Sequence, residues 1–311
     1  MVHKWLLGIS NVIAVCGLAF FPGALATIET HPYLAFPIYL GAWVVSYLVC
    51  FLVMWIFFAL VAFTIRPNKP KMESCPNGAE PDENGVFRQI YKKHNRFYDV
   101  VFAALLDSAV WCMGGRITVT GMEKLPKDKK QRFLFVSNHR SVYDTFIQVA
   151  AFHKYPMSFI SKPENWNFPL GHRYMTRLRY MAINRESPRA GFQITHDAAE
   201  MIKSGECCVG VYPEGTRNRT AELLLDFKDG CFKSALWARC PIVIGVVHNS
   251  AQIRPRWPKI TKVWFEIVDV LPYETIRTMK TAEIAELVRQ KMLDSLAREN
   301  PQALDLRKTE E

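Results

Sequence analysis

The chain has 311 residues, half of them hydrophobic, and Lys and Arg outnumber Asp and Glu by 39 to 29, giving a formal net charge of +10. This length and apolar content exclude a disordered chain and allow one large domain with an appendage. The basic balance favours anionic partners: phospholipid surfaces, phosphorylated metabolites or nucleic acid. Eight cysteines without a CxxC pair read as reduced, mostly buried thiols of a cytosol-facing protein.

No charged side chain lies between Lys4 and Glu29, and none between His31 and Arg66. Each run is long enough for a helix across a hydrocarbon core. Lys4 precedes the first, Arg66, Lys69 and Lys71 follow the second, and the connecting Ile28-Glu29-Thr30-His31-Pro32 has no Lys or Arg. The positive-inside rule then places both ends in the cytosol, making residues 1–66 a helical hairpin anchor. A second apolar run so close behind the first argues against a cleaved signal peptide. Pro22, Gly23 and Pro37 leave open a re-entrant hairpin held in one leaflet.

Residues 67–85 are polar and Pro/Gly-punctuated, as in a surface linker, and residues 86–311 form the remaining domain. From Val86 to about Met113 the pattern is helical, fitting either a core helix or one lying along the membrane interface. Strands are expected at Ile117–Thr120, Phe133–Val136, Met157–Ile160, Tyr180–Asn184, Cys207–Tyr212, Ile242–Val247 and Val263–Val268. Helices are expected at Val142–His153, Pro188–Lys203, Phe232–Ala238 and Thr281–Arg298. This alternation indicates an α/β domain, a largely parallel mixed sheet flanked by helices.

Two segments carry chemistry. In Asn138-His139-Arg140-Ser141-Val142-Tyr143-Asp144, five residues separate an imidazole from a carboxylate. On one continuous helix that spacing would turn them about 140° apart. They can meet if His139 sits in the loop leaving Phe133–Val136 and Asp144 in the first helical turn, with Ser141 at the N-cap and Asp144 at N3 of a capping box. Asp144 is then either a helix cap alone or the group that fixes the tautomer of a histidine base. The second segment, Tyr212-Pro213-Glu214-Gly215-Thr216-Arg217, follows another apolar strand. It offers backbone amides and a forked cation suited to phosphate, or it is a surface turn with a solvated Arg.

Four blocks in order resemble the glycerophospholipid acyltransferase family, and most of all the bacterial 1-acylglycerol-3-phosphate acyltransferases. They are Asn138-His139-x4-Asp144, Ala182-Ile183-Asn184-Arg185, Pro213-Glu214-Gly215-Thr216-Arg217 and Pro241-Ile242-Val243-Ile244. Gly121-x-Glu123-x-Leu125-Pro126, Lys162-x-Glu164, Pro169-x-Gly171 and Phe227-Lys228-x-Gly230 add to the likeness, which spans about residues 121–272. The resemblance implies a glycerol-3-phosphate acyltransferase-like fold and acyl transfer from acyl-CoA or acyl carrier protein to the free hydroxyl of a lysophospholipid. It implies that His139 is the base and Asp144 its orienting acid. Arg185, Arg217, Glu214, Gly215, Thr216 and Lys162 would form the substrate-phosphate site, with Glu214 and Gly215 shaping its turn. Pro241 and Ile242 would line an acyl-side pocket. Neither a cofactor nor a metal is implied, since no His, Cys or acid cluster has ligand spacing.

Within this resemblance the acceptor is lysophosphatidic acid or, alternatively, another lysophospholipid, glycerol 3-phosphate or an aminoacyl lipid. Basic stretches at His172, Arg173, Arg177, Arg179, Arg185 and Arg189, and at Arg254, Arg256, Lys259 and Lys262, are either solvated faces or a field that draws in anionic lipid. A nucleic-acid partner is not expected, because no aromatic-basic RNA motif or helix-turn-helix pattern is present. The expected location is a membrane, with the catalytic domain facing the cytosol.

Overall fold

The computed structural model describes residues 2–19, 22–65, 91–168, 170–183 and 188–298. The chain divides into two compact units, Met1–Ile65 and Arg66–Glu311. The first consists of helices α1 (Val2–Ala19), α2 (Pro22–Thr30) and α3 (Ala35–Phe63). α1 packs against α3, where the Tyr39 hydroxyl donates to Asn11 Oδ1.

Pro22, which has no N–H to donate, is the first residue of α2. The apolar part of α1, Trp5–Gly17, falls short of a span. Among the described residues only Pro32–Phe63 is long and apolar enough to cross a membrane. The 29 residues of α3 extend roughly 44 Å, against about 30 Å for a hydrocarbon core.

In the second unit, α4 (Arg96–Cys112) starts at Asn95, whose side chain accepts the Phe97 N–H. It buries Val101, Phe102, Leu105, Leu106 and Val110 at helical spacing, so it is a core helix. Its buried acid Asp99 faces Arg96 and His94, each 3.3 Å away.

The strands are β1 (Gly115–Thr120), β2 (Leu134–Ser137), β3 (Met157–Ser161), β4 (Met181–Ala182), β5 (Cys208–Val211), β6 (Ile242–His248) and β7 (Thr261–Leu271). They form one sheet in the order β1-β7-β6-β2-β5-β3-β4, and every pair is parallel except β6–β7. Between them run α5 (Tyr143–Ala151), α6 (Gly171–Arg177), α7 (Pro188–Lys203), α8 (Lys233–Ala238) and α9 (Ile253–Arg256). Two more helices, α10 (Tyr273–Ile276) and α11 (Thr281–Ala297), follow β7. The expected strand Tyr180–Asn184 is reduced to the two residues of β4 on the sheet edge, and Asn184 lies outside the described residues.

β2, β5 and β6 are buried along their cores because helices cover both faces, which explains their unbroken apolar sequence. On one face α7, α8 and α11 seal Leu134, Val209, Ile242 and Ile244. On the other, Phe135 packs edge-on to Phe152, Phe159 and Phe265. Cys207, Cys208 and Cys240 are buried thiols, but Cys16 and Cys112 are exposed, so burial is not general.

Candidate active site

β2 and β5 are parallel neighbours with Val136 opposite Val211. His139 and Glu214 each lie three residues past that pair, so both motifs emerge side by side at the carboxyl ends of the strands. Crevices of open α/β sheets form at such ends. Asn138 extends the edge of β2 with its side chain. Its amide group donates to Val247 O at 3.0 Å and accepts from Val247 N at 2.8 Å, replacing a rung of the ladder. The chain then turns outward at His139.

Asp144 is fully buried and holds the imidazole. His139 Nδ1 is 2.9 Å from Asp144 Oδ2, and that oxygen also accepts the N–H groups of Arg140 at 2.7 Å and Ser141 at 2.8 Å. The Ser250 hydroxyl donates to Oδ1. A carboxylate can only accept, so in the neutral imidazole the proton sits on Nδ1 and Nε2 keeps its lone pair. Nε2 makes no hydrogen bond with the described residues, and His139 lines a cavity of about 440 Å³.

The capping box takes a different form from the expected one. α5 begins at Tyr143, with Val142 as its N-cap, so Asp144 is at N2. The Ser141 hydroxyl accepts the N–H two residues on, at Tyr143. Asp144 turns back to the loop amides instead of forward into the helix. One carboxylate oxygen therefore organises the helix entry and orients the histidine together.

Tyr212 supports the ring from the other side. Its ring lies 4.0 Å from the imidazole, tilted by only 11°. Burial pushes its phenol well above the usual range, so it stays protonated and donates to Gln148 Oε1 at 2.7 Å. Gln148 donates in turn to Ser137 Oγ. Glu214 Oε1 accepts the His139 N–H at 2.7 Å, and Oε2 accepts the Leu225 N–H at 2.9 Å. Burial pushes this carboxyl upward, and the two amides pull against it. Asn218 N–H donates to His139 O, and Arg140 donates to the carbonyls of Thr220 and Glu222. The two motifs are thus stitched into one unit.

Glu214 is a buried strut between two loops, and its oxygens accept backbone amides. Gly215 has φ +67°, and a Cβ there would meet the Lys228 stem at 3.1 Å. Thr216 is exposed; Arg217 is half-buried and has no side-chain partner among the described residues. Neither is among the residues lining the cavity. Lys162 stands on the same rim, 3.9 Å from Glu164. Arg185 lies outside the described residues. Pro241 and Ile242 are core residues at the start of β6, where Pro241 O accepts the Leu134 N–H. That is the opposite end of the strands from His139, so they do not line the cavity.

The cavity wall comprises His139, Gly215 and Tyr212, apolar groups including Ile160, Ile183, Phe192 and Trp237, and the cations Lys228 and Lys233. Sequence reasoning gave no role to Tyr212, Gln148 or Ser250. Nothing in the sequence connects Ser250 to Asp144 across 106 positions.

Residues 116–247 match the family described as Acyltransferase. The similarity to that family covers the segment that carries both motifs. It is 28% identical to a 1-acyl-sn-glycerol-3-phosphate acyltransferase of Saccharomyces cerevisiae over 59% of this chain and 61% of that protein. It is 30% identical to the Haemophilus influenzae protein of the same name over 47% of this chain and 61% of that one. The relative from Borreliella burgdorferi is 27% identical over 49% and 58%. The chain therefore spans about three fifths of the length of these relatives. The fold is also that of the crystal structure of the 1-acyl-sn-glycerophosphate acyltransferase from Thermotoga maritima, with a TM-score of 0.51 and 20% identity, covering 64% of this chain and 83% of that one. The His139–Asp144 pair and the Glu214 turn lie inside the matched family segment.

Proposed function

We propose that the chain transfers a fatty acyl group from an acyl thioester, acyl-CoA or acyl carrier protein, to the free hydroxyl of lysophosphatidic acid, giving phosphatidic acid. The observation that carries this reading is the His139–Asp144 pair, with Nε2 unpartnered on an apolar cavity that also holds two lysines. Nε2 takes the proton of the acceptor hydroxyl while its oxygen attacks the thioester carbonyl carbon. The tetrahedral adduct collapses, the C–S bond breaks, and the imidazolium returns the proton to the departing thiolate. Direct attack is favoured over an acyl-enzyme. Cys231, in the cavity wall, is held as a thiol by burial that pushes it up to about 12.

The apolar wall suits the acyl chain. Lys228 and Lys233, with Arg217 and Lys162 on the rim, suit the phosphates of acceptor and donor. Helix α3 fits a membrane location, with residues 1–66 as anchor and the catalytic domain on the cytosolic side.

The test is His139→Ala in lipid-reconstituted protein, assayed with lysophosphatidic acid and a mixture of acyl-CoA and acyl carrier protein donors. Loss of the base is expected to lower turnover by about a hundredfold or more. Near-wild-type transfer would sink the reading, and a panel of acceptors identified by mass spectrometry fixes the acceptor.

A further inference from the structure

A second surface on the catalytic unit remains unused by this chemistry. Following Ser250, the segment Ile253-Arg254-Pro255-Arg256-Trp257-Pro258-Lys259-Ile260-Thr261-Lys262 contains four cations and no acid. Two of its three large apolar side chains point outward: Trp257 is 56% exposed and Ile260 58%. Exposed large apolar groups amid cations are a candidate interaction surface. Arg254, Lys259 and Lys262 are exposed and form no ion pair among the described residues.

The segment is well anchored despite its exposure. Ile253 is fully buried, the Thr261 N–H donates to Gly114 O at 2.9 Å, and the Trp257 indole N–H donates to Cys112 O at 3.3 Å. Adjacent in space, Arg116 lies over the Trp111 ring at 4.6 Å, and β1–β7 pairing sets Arg116 beside Lys262. The patch thus combines exposed aromatic and aliphatic groups with five cations on a rigid base. It also occupies the catalytic rim. β7 starts where β6 ends, and Ser250, three residues before Ile253, touches Asp144.

We propose that this patch docks on an anionic lipid surface, with Trp257 and Ile260 entering the interfacial layer and Arg254, Lys259 and Lys262 meeting headgroup phosphates. Indole rings settle at the headgroup level, and exposed cations are drawn to negatively charged leaflets. Docking there would hold the His139 rim against the bilayer, where an amphiphilic acceptor resides. A nucleic-acid contact is less well matched, since two large apolar side chains are exposed among the cations.

The experiment is hydrogen exchange on the full chain in nanodiscs of phosphatidylcholine alone and of phosphatidylcholine mixed with phosphatidylglycerol. Each cation near an anionic surface favours the docked state roughly fivefold, so three give on the order of a hundredfold. Amides of residues 254–262 are expected to exchange more slowly on the anionic discs, with α7 unchanged and with the protection lost at high salt. Trp257→Ser with Ile260→Ser, and separately Arg254→Gln with Lys259→Gln and Lys262→Gln, should each abolish the difference. Equal exchange on both discs would overturn the proposal. So would protection that appears with added acyl carrier protein or RNA and not with phosphatidylglycerol. Because the readout is exchange, it stands or falls independently of the acyl-transfer assay.

Discussion

Asp144→Asn separates the two jobs assigned to one carboxylate. The side chain keeps its shape, and its carbonyl oxygen can take the place of Oδ2, accepting from Arg140 N, Ser141 N and His139 Nδ1. Its NH2 then faces Ser250 Oγ, which can accept instead of donating. The loop and the tautomer survive, and what disappears is the negative charge beside the imidazolium that forms as the acceptor loses its proton. With charge centres about 4 Å apart, that attraction is about 4 kcal/mol at an effective dielectric of about 20. At 1.36 kcal/mol per tenfold, this is roughly a thousandfold in turnover. The assay is thiol release from acyl-CoA with lysophosphatidic acid in detergent micelles, with thermal unfolding as the control. An Asn carbonyl can accept from the same loop amides as the carboxylate. If Asp144→Asn unfolds at the wild-type temperature and turns over within tenfold of wild type, Asp144 is a cap and the reasoning fails.

Other outcomes follow from the same contacts. Glu214→Gln leaves an NH2 opposing either the His139 or the Leu225 N–H, so turnover should fall and the unfolding midpoint should drop by several degrees, consistent with one unsatisfied buried donor costing about 1–3 kcal/mol; a silent variant would dismiss Glu214 as the strut. Tyr212→Phe keeps the ring against His139 and should retain activity within a few-fold, whereas Tyr212→Ala, which removes the stack, should lower both turnover and stability, the latter by about 3–5 kcal/mol. Arg217→Ala should raise KM for phosphate-bearing acceptors by roughly tenfold or more and leave a phosphate-free acceptor unaffected; an unchanged preference speaks against the clamp. His248 stacks on Trp264 at 4.8 Å, and burial lowers its pKa. The unfolded chain therefore binds the proton first, and stability should decline as pH falls below about 6.5; His248→Phe should flatten that slope in denaturant titrations.

Much of the architecture could be read from periodicity and punctuation. α7 runs from Pro188 to Lys203 as expected, because Pro suits a first helical position and the apolar residues recur on one face. The central strands β2, β5 and β6 were visible as short apolar runs bounded by turn residues. The His139–Asp144 contact was legible as a possibility, since a loop followed by a helix is the one local geometry that closes five residues. The acyl-side place of Pro241 and Ile242 was an implication of the resemblance, and in the fold both stand at the buried start of β6. An apolar strand start looks the same in sequence whether it faces a cavity or a helix-packed core.

The sequence by itself determined which chemical groups the chain carries, in what order, and on which kind of element, because propensity and short-range spacing act within about a turn or a strand. Tertiary structure alone decided that β2 and β5 lie side by side, which makes Glu214 a neighbour of His139 across 75 positions. It also brought Ser250 onto Asp144 from 106 positions away and laid Tyr212 flat on the imidazole. These contacts depend on strand order and register. Both are set by how the whole sheet buries its two faces, which no local window of sequence contains.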